Sequence, residues 1–95
     1  MKIIWTREAI NNLIEIEDFI SQNNPERAVE FIDYLVEQTK YLKSTPNMGR
    51  VVPEISNPDI RELIVKNYRI VYRLIDGEIQ IVTVFESHRR LPIDL

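Results

Sequence analysis

Apolar and polar positions alternate along the chain from Ile70, with Ile70, Tyr72 and Leu74 on one side and Val71, Arg73 and Ile75 on the other. A period of two belongs to a strand, because successive side chains of a pleated backbone point to opposite faces. The same period returns at Ile79, Ile81 and Thr83. Between the two arms lies Asp76-Gly77, a pair suited to a type I′ turn, whose central residues both need positive φ. The spacing predicts a hairpin over 68–75 and 78–86. Upstream, Arg61 to Val65 is a further β-rich run and Lys66-Asn67 a second short turn, so the hairpin extends to a three-stranded meander that begins near residue 60.

The N-terminal half changes period. Ala9, Ile10, Leu13, Ile16, Phe19 and Ile20 recur at intervals of three and four, one face of an amphipathic helix over 7–22. Thr6 is its expected N-cap, since the side-chain oxygen can accept from the first free amides, with Glu8 in the first turn. Asn24-Pro25 ends this element and opens a second, because a residue before proline avoids helical dihedrals while proline suits the first helical turn. The stripe Ala28, Phe31, Ile32, Leu35, Thr39 and Leu42 carries that helix over 25–43. The short joint folds the two helices into an antiparallel hairpin.

Lys2 to Trp5 reads as an edge strand that joins the meander. Ser44 to Pro58, with three of the five prolines and little periodicity, reads as a loop that passes along the domain. The fold class that results is α+β: an N-terminal helical hairpin packed on a mostly antiparallel four-stranded sheet, with the whole of 1–95 as one domain. Leu13, Ile16, Ile20, Phe31, Ile32 and Leu35 are expected to pack on Ile70, Tyr72 and Ile81.

Composition narrows the chemistry. The chain has no cysteine and one histidine, which excludes a disulfide framework, a thiolate zinc site and a multi-histidine metal site, and no cofactor is expected. Charge returns at Arg7 and Glu8, too soon after the N-terminus for a signal peptide or a membrane span, so the expected location is the cytoplasm. The net charge of −3 conceals a division: most acids precede residue 45, whereas Arg50, Arg61, Lys66, Arg69, Arg73, Arg89 and Arg90 follow it. That asymmetry points to an anionic partner for the C-terminal half.

No nucleophile motif is present, and two widely separated glycines cannot build a phosphate loop. The candidate constellation is basic, with Arg50, Arg61, Arg69, Arg73, Arg89 and Arg90 accompanied by His88 and by Glu54, Glu62 and Glu86. Arginines on neighbouring strands can converge on a phosphate, and an imidazole beside them could move a proton in phosphodiester transfer. The structural alternative is cross-strand pairing on a solvated face, for instance Arg61 or Arg73 with Glu78. Tyr68 and Tyr72 are expected as core or half-buried sheet residues, with RNA stacking as the other possibility.

A series of short motifs adds a resemblance. W-T-x-x-A with L-x-x-I (Trp5 to Ile16), N-P-x-x-A (Asn24 to Ala28), L-x-x-x-P-x-x-G-R (Leu42 to Arg50), V-P-E (Val52 to Glu54), R-E-L (Arg61 to Leu63), N-Y-R-I-V-Y-R (Asn67 to Arg73) and V-F-E-S-H-R-R-L (Val84 to Leu91) together resemble the RelE/ParE family of bacterial toxins. The resemblance covers nearly the whole chain and implies the same helical hairpin on a mostly antiparallel sheet. It also implies the toxin half of a type II toxin–antitoxin module, with a cognate antitoxin as partner. RelE-like members cut messenger RNA on the ribosome, whereas ParE-like members poison DNA gyrase and need no nuclease site.

On the RelE side, the resemblance carries over Arg69 from the Y-R-I-V-Y segment and a basic residue after the last strand, Arg89 or Arg90. The family's lysines fall on Ile60 and Glu62 here, and its C-terminal catalytic tyrosine has no counterpart in Pro92-Ile93-Asp94-Leu95. A related ribosome-dependent nuclease, YoeB, matches Glu54, Arg69 and His88, with Arg89 where its tyrosine should be. For a nuclease, the resemblance makes Arg69, His88, Glu54 and Arg90 catalytic. Arg50, Arg61, Arg73 and Arg89 are candidates for contact with a target or nucleic acid. The missing tyrosine and the long helices favour the ParE-like branch, a gyrase inhibitor that is not an enzyme. A ribosome-dependent endoribonuclease and a non-toxic interaction module of the same fold are the alternatives.

Overall fold

The computed structural model describes all 95 residues. The chain runs β1 (Lys2–Trp5), α1 (Arg7–Ser21), α2 (Pro25–Lys40), a single 3₁₀ turn (Tyr41–Lys43), β2 (Arg50–Val51), β3 (Ile60–Val65), β4 (Tyr68–Ile75) and β5 (Glu78–Glu86). The five strands lie in the order β1-β5-β4-β3-β2, with β1 parallel to β5 and every other pair antiparallel. No helix is long and apolar enough to cross a membrane.

Local chemistry explains the joints. The Thr6 hydroxyl accepts from the Ala9 amide at 3.2 Å and donates to the Ile81 carbonyl at 2.9 Å, which caps α1 and ties its start to β5. Asn24 caps α2 through a bond from the Arg27 amide at 3.1 Å, with Pro25 in the first turn. Asp76 and Gly77 have φ of 51° and 74°, the signs a type I′ turn requires. Nothing lies within 4 Å of the place a Gly77 Cβ would occupy, so only the dihedral restrains that position. Gly77→Ala is therefore expected to cost about 1 kcal/mol, the strain of a left-handed L-residue. Urea denaturation is the measurement, and an unchanged midpoint would refute it.

One sheet face carries the main core, in which Ala9, Ile16, Leu35, Leu42, Leu63, Ile70, Tyr72, Ile79 and Ile81 are buried, with Leu13, Ile20, Phe31 and Ile32 packed beside them. Three features depart from the sequence expectation. The sheet gains a fifth strand, because Arg50 and Val51 pair with Glu62 and Arg61; two residues are too few to show a period. In β5 the alternation slips, since Val71 pairs with Thr83 and Tyr72 with Ile81, leaving Val82 as a bulge. After the bulge Val84, rather than Thr83, continues the apolar face, and the Thr83 hydroxyl instead donates to Asn12 on α1 at 3.0 Å. Finally, Ile10 and Phe19 were assigned to the buried stripe of α1 but are exposed, Phe19 to 62%. Both sit at the margins of a face that is narrower than their spacing suggests.

The opposite sheet face is not a solvated field of arginines. Val52, Ile60, Val71, Val82 and Phe85 form a second buried cluster, covered by Ile55 from the loop and by Leu91 and Ile93 from the C-terminal segment. This cover turns a face expected to be charged into a small core with ions set in it.

Candidate functional site

The chemistry of the molecule concentrates in that second core. Centring a turn on Lys66-Asn67 sets Glu62 opposite Val71 and Ile64 opposite Arg69, so Glu62 and Arg69 share a face as diagonal neighbours. Arg69 Nε donates to Glu62 Oε1 at 2.6 Å, and Arg50, directly across from Glu62, donates through Nε to Oε2 at 2.6 Å. The turn after β2 brings Glu54 over the other end of Arg69, where Nη1 and Nη2 donate to its two oxygens, each at 2.8 Å. The Arg69 guanidinium also lies 4.9 Å from the ring centre of Phe85, its partner across the strands.

The result is a chain of alternating charges, Arg50–Glu62–Arg69–Glu54, that passes from solvent through the interior. The Glu62 side chain is fully buried and that of Arg69 is 8% exposed, while 42% of Glu54 remains in contact with water. A lone carboxylate as deep as Glu62 would cost several kcal/mol to desolvate. It is tolerated because each oxygen receives a charge-assisted hydrogen bond. On Arg69, the bonds to Glu54 hold the guanidinium more firmly protonated, against the opposing effect of desolvation.

The same bidentate pair lowers the Glu54 carboxyl from 4.5 to about 2, against a smaller upward push from burial. A group whose pKa is depressed on folding contributes stability above its unfolded value and loses it as pH falls through the folded one. Acid unfolding is therefore expected to draw on Glu54 between pH 4.5 and about 2. Glu54→Gln should flatten that part of the limb when urea midpoints are plotted against pH, and parallel curves for the two proteins would overturn the assignment.

The remaining candidates do not converge on Arg69. His88 is 72% exposed on the turn after β5, with Nδ1 3.8 Å from Glu86. Arg90 lines an open hollow of ≈ 680 Å³ with Glu54, Ile55, Leu91 and Ile93. Arg89 lines another, of ≈ 410 Å³, between α1 and the end of β5, beside Glu15, Phe19 and Glu86. The anticipated pairing of Arg61 or Arg73 with Glu78 does not form. Arg61 donates to the carbonyls of Pro58 and Gly49 at 2.9 and 3.0 Å and so clasps the loop, while Arg73 donates to Gln80 at 3.1 Å and its Nε is buried without a partner. The Arg–Glu pairs that do form across strands are Arg50–Glu62 and Arg69–Glu62.

Residues 3–91 match the family model described as ParE toxin of type II toxin-antitoxin system, parDE. The chain belongs to the ParE toxin family. Among solved structures, a chain of the chromosomal ParDE TA system from P. aeruginosa is similar at 30% identity, with 93% of this chain and 97% of that one covered and a TM-score of 0.78. A comparison with curated proteins finds no match.

Two residues of this ParE-family site escaped the reading of single motifs. Glu62 entered it as an acid in the basic cluster, as part of R-E-L and as a gap in a lysine pattern, and Phe85 entered it only as a position of the V-F-E-S-H-R-R-L motif, with no role. Turn-centred arithmetic from Lys66-Asn67 is the signal that pairs Glu62 with Arg69, whereas counting from Asp76-Gly77 would set Arg69 opposite Val84, and only the bulge in β5 moves its partner to Phe85. Tyr72 was expected in the core and is buried there, but its hydroxyl also holds the ParE chain's 46–49 loop, donating to Pro46 O at 2.7 Å and accepting from the Gly49 amide at 3.0 Å.

Proposed function

We propose that this ParE-family toxin is held silent by a cognate antitoxin and, when released, inhibits DNA gyrase rather than cutting RNA. The observation that carries this reading is the state of Arg69. A nuclease of this fold needs a cation free to stabilise the phosphorane and groups poised to take and return a proton. Here the fork of Arg69 is filled by Glu54, Glu54 is a weak base at its lowered pKa, and His88 stands apart in solvent on Glu86. Such an arrangement supports a scaffold for a binding surface better than a site for hydrolysis.

One observation favours the endoribonuclease reading: Glu54 and Arg69, two of the residues matched to YoeB, are in direct contact. Induction of the toxin alone separates the two, with transcripts mapped in cells and gyrase supercoiling measured in vitro. Inhibited supercoiling with intact messages is the expected result, unchanged in His88→Ala. Codon-phased cleavage lost in His88→Ala, with supercoiling unaffected, would overturn it. A product harmless in every assay would leave a non-toxic interaction module.

A further inference from the structure

The two edges of the sheet are guarded differently. On one side β2 is two residues long, Arg50 projects from it into water and Pro53 follows closely, all devices that keep an edge from pairing with another chain. The other edge is β1, Lys2-Ile3-Ile4-Trp5, with no proline or glycine, an unbroken register on β5 and a single charge at its first residue. Nothing in the chain pairs with its outer side, since the sheet order ends there.

Register tells which backbone groups that edge offers. The Thr6 amide donates to Ile81 O and Trp5 lies beside Ile81, so in the parallel ladder Lys2 and Ile4 turn their N–H and C=O groups to β5. Ile3 and Trp5 turn theirs outward, and no loop or cap bond reaches those four groups. The side chains follow the same alternation. Ile3 and Trp5 pack on the helical core, whereas Ile4, on the opposite face, belongs to neither apolar cluster and stays half-buried.

We propose that this edge pairs with its own copy: two β1 strands lie antiparallel about a two-fold axis through Ile4, joining two five-stranded sheets into one of ten strands. The free groups fix the register. Ile3 of each chain meets Trp5 of the other and exchanges both N–H···O bonds, and the pair between them is Ile4 on Ile4, the close type without hydrogen bonds. That placement is self-complementary, as an isologous contact must be. Isoleucine packs on tryptophan twice on one face and on itself on the other, and Lys2 falls opposite Thr6 rather than opposite a like charge. A strand of any sequence can satisfy the backbone groups; the second copy is the occupant that also supplies these side-chain pairs. Three residues a side fall far below the about 20–30 of a standard interface, so the dimer is transient, with a dissociation constant on the order of 0.1 mM. Both helical hairpins then lie on one side of the joined sheet. Both second faces, with their Arg50–Glu62–Arg69–Glu54 chains, lie on the other, so the pair presents that face twice to a single target.

Sedimentation of the intact chain is followed from tens of micromolar to about 1 mM, a range that brackets such a constant. The wild type is expected to pass from monomer to dimer, with the emission of Trp5, its one tryptophan, moving to the blue at the same midpoint. Ile4→Lys and Ile4→Glu each set like charges across the axis and are expected to weaken association at least tenfold. Mixed in equal amounts, they are expected to associate within about threefold of the wild type, because lysine then faces glutamate. Ile4 lies outside both apolar clusters, so these variants should unfold near the wild-type temperature. Ile3→Pro removes an outward N–H and no bond to β5; it should also stay monomeric, and it guards against a folding defect in the Ile4 variants. A wild type monomeric throughout the range, a dimer undiminished in Ile4→Lys, or a mixture no tighter than its parts would each overturn the pairing. A monomeric wild type whose binding to the product of the adjoining gene is lost in Ile3→Pro would overturn it in favour of a strand from that protein.

Discussion

Arg69→Ala is expected to destabilise the protein by about 3–5 kcal/mol, the usual cost of removing one partner from a buried ion pair. The loss is large because Glu62 stays behind, fully buried, with one oxygen still bonded to Arg50 and the other facing the second apolar cluster. Glu54, by contrast, can turn to water. Urea denaturation measures the effect, and a change below about 1 kcal/mol would show that the interior tolerates the orphaned carboxylate. The companion variant Glu62→Leu/Arg69→Met removes both charges and should recover most of the stability, since an apolar pair of similar volume often replaces a buried ion pair at little cost. Any loss of toxicity in Arg69→Ala must therefore be read against its folded fraction. The double variant is the better probe of whether the arginine does chemistry.

Gly49→Ala is expected to cost about 3 kcal/mol, for a reason that differs from Gly77. A Cβ on Gly49 would stand 2.6 Å from Glu62 O and 2.7 Å from the Tyr72 hydroxyl, closer than carbon approaches oxygen in folded proteins. Neither neighbour can retreat cheaply, since Glu62 lies between β2 and β4 in the sheet and the Tyr72 hydroxyl is held by Pro46 O and the Gly49 amide. Overpacking of this kind costs about 1–3 kcal/mol, and displacement of the amide from Tyr72 adds about 1 kcal/mol. Tyr72→Phe in the same background should relieve part of the clash, so the two substitutions are expected to be less than additive in a double-mutant cycle. Strict additivity of the two urea-derived changes would count against the contact as the cause.

The loop from Ser44 to Pro58 shows how these effects bear on the site. Arg61 and Tyr72 each grip it from the sheet, and it in turn delivers Arg50 to Glu62 and Glu54 to Arg69. Read along the sequence it is an aperiodic, proline-rich stretch. In the folded molecule it is the lid on the second sheet face, and its prolines and Gly49 set where its two charged residues land.

By itself the sequence determined the two helices and the three-stranded meander, though not the two-residue strand β2. Helical spacing, the caps Thr6 and Asn24, and the turn Asp76-Gly77 all express interactions within a few residues, and such interactions are written locally. The meander follows from short turns, so the order of β3, β4 and β5 is local as well. The tertiary structure alone decided what the charges do. Whether Arg69 is a free cation or half of a buried pair depends on Glu62 and Glu54, 7 and 15 residues away, and on a C-terminal segment that folds back with Leu91 and Ile93 to dry the face. Charge patterns along a chain record which ions are present. Their protonation, exposure and partners are set by the local dielectric and geometry, which exist only once distant segments meet.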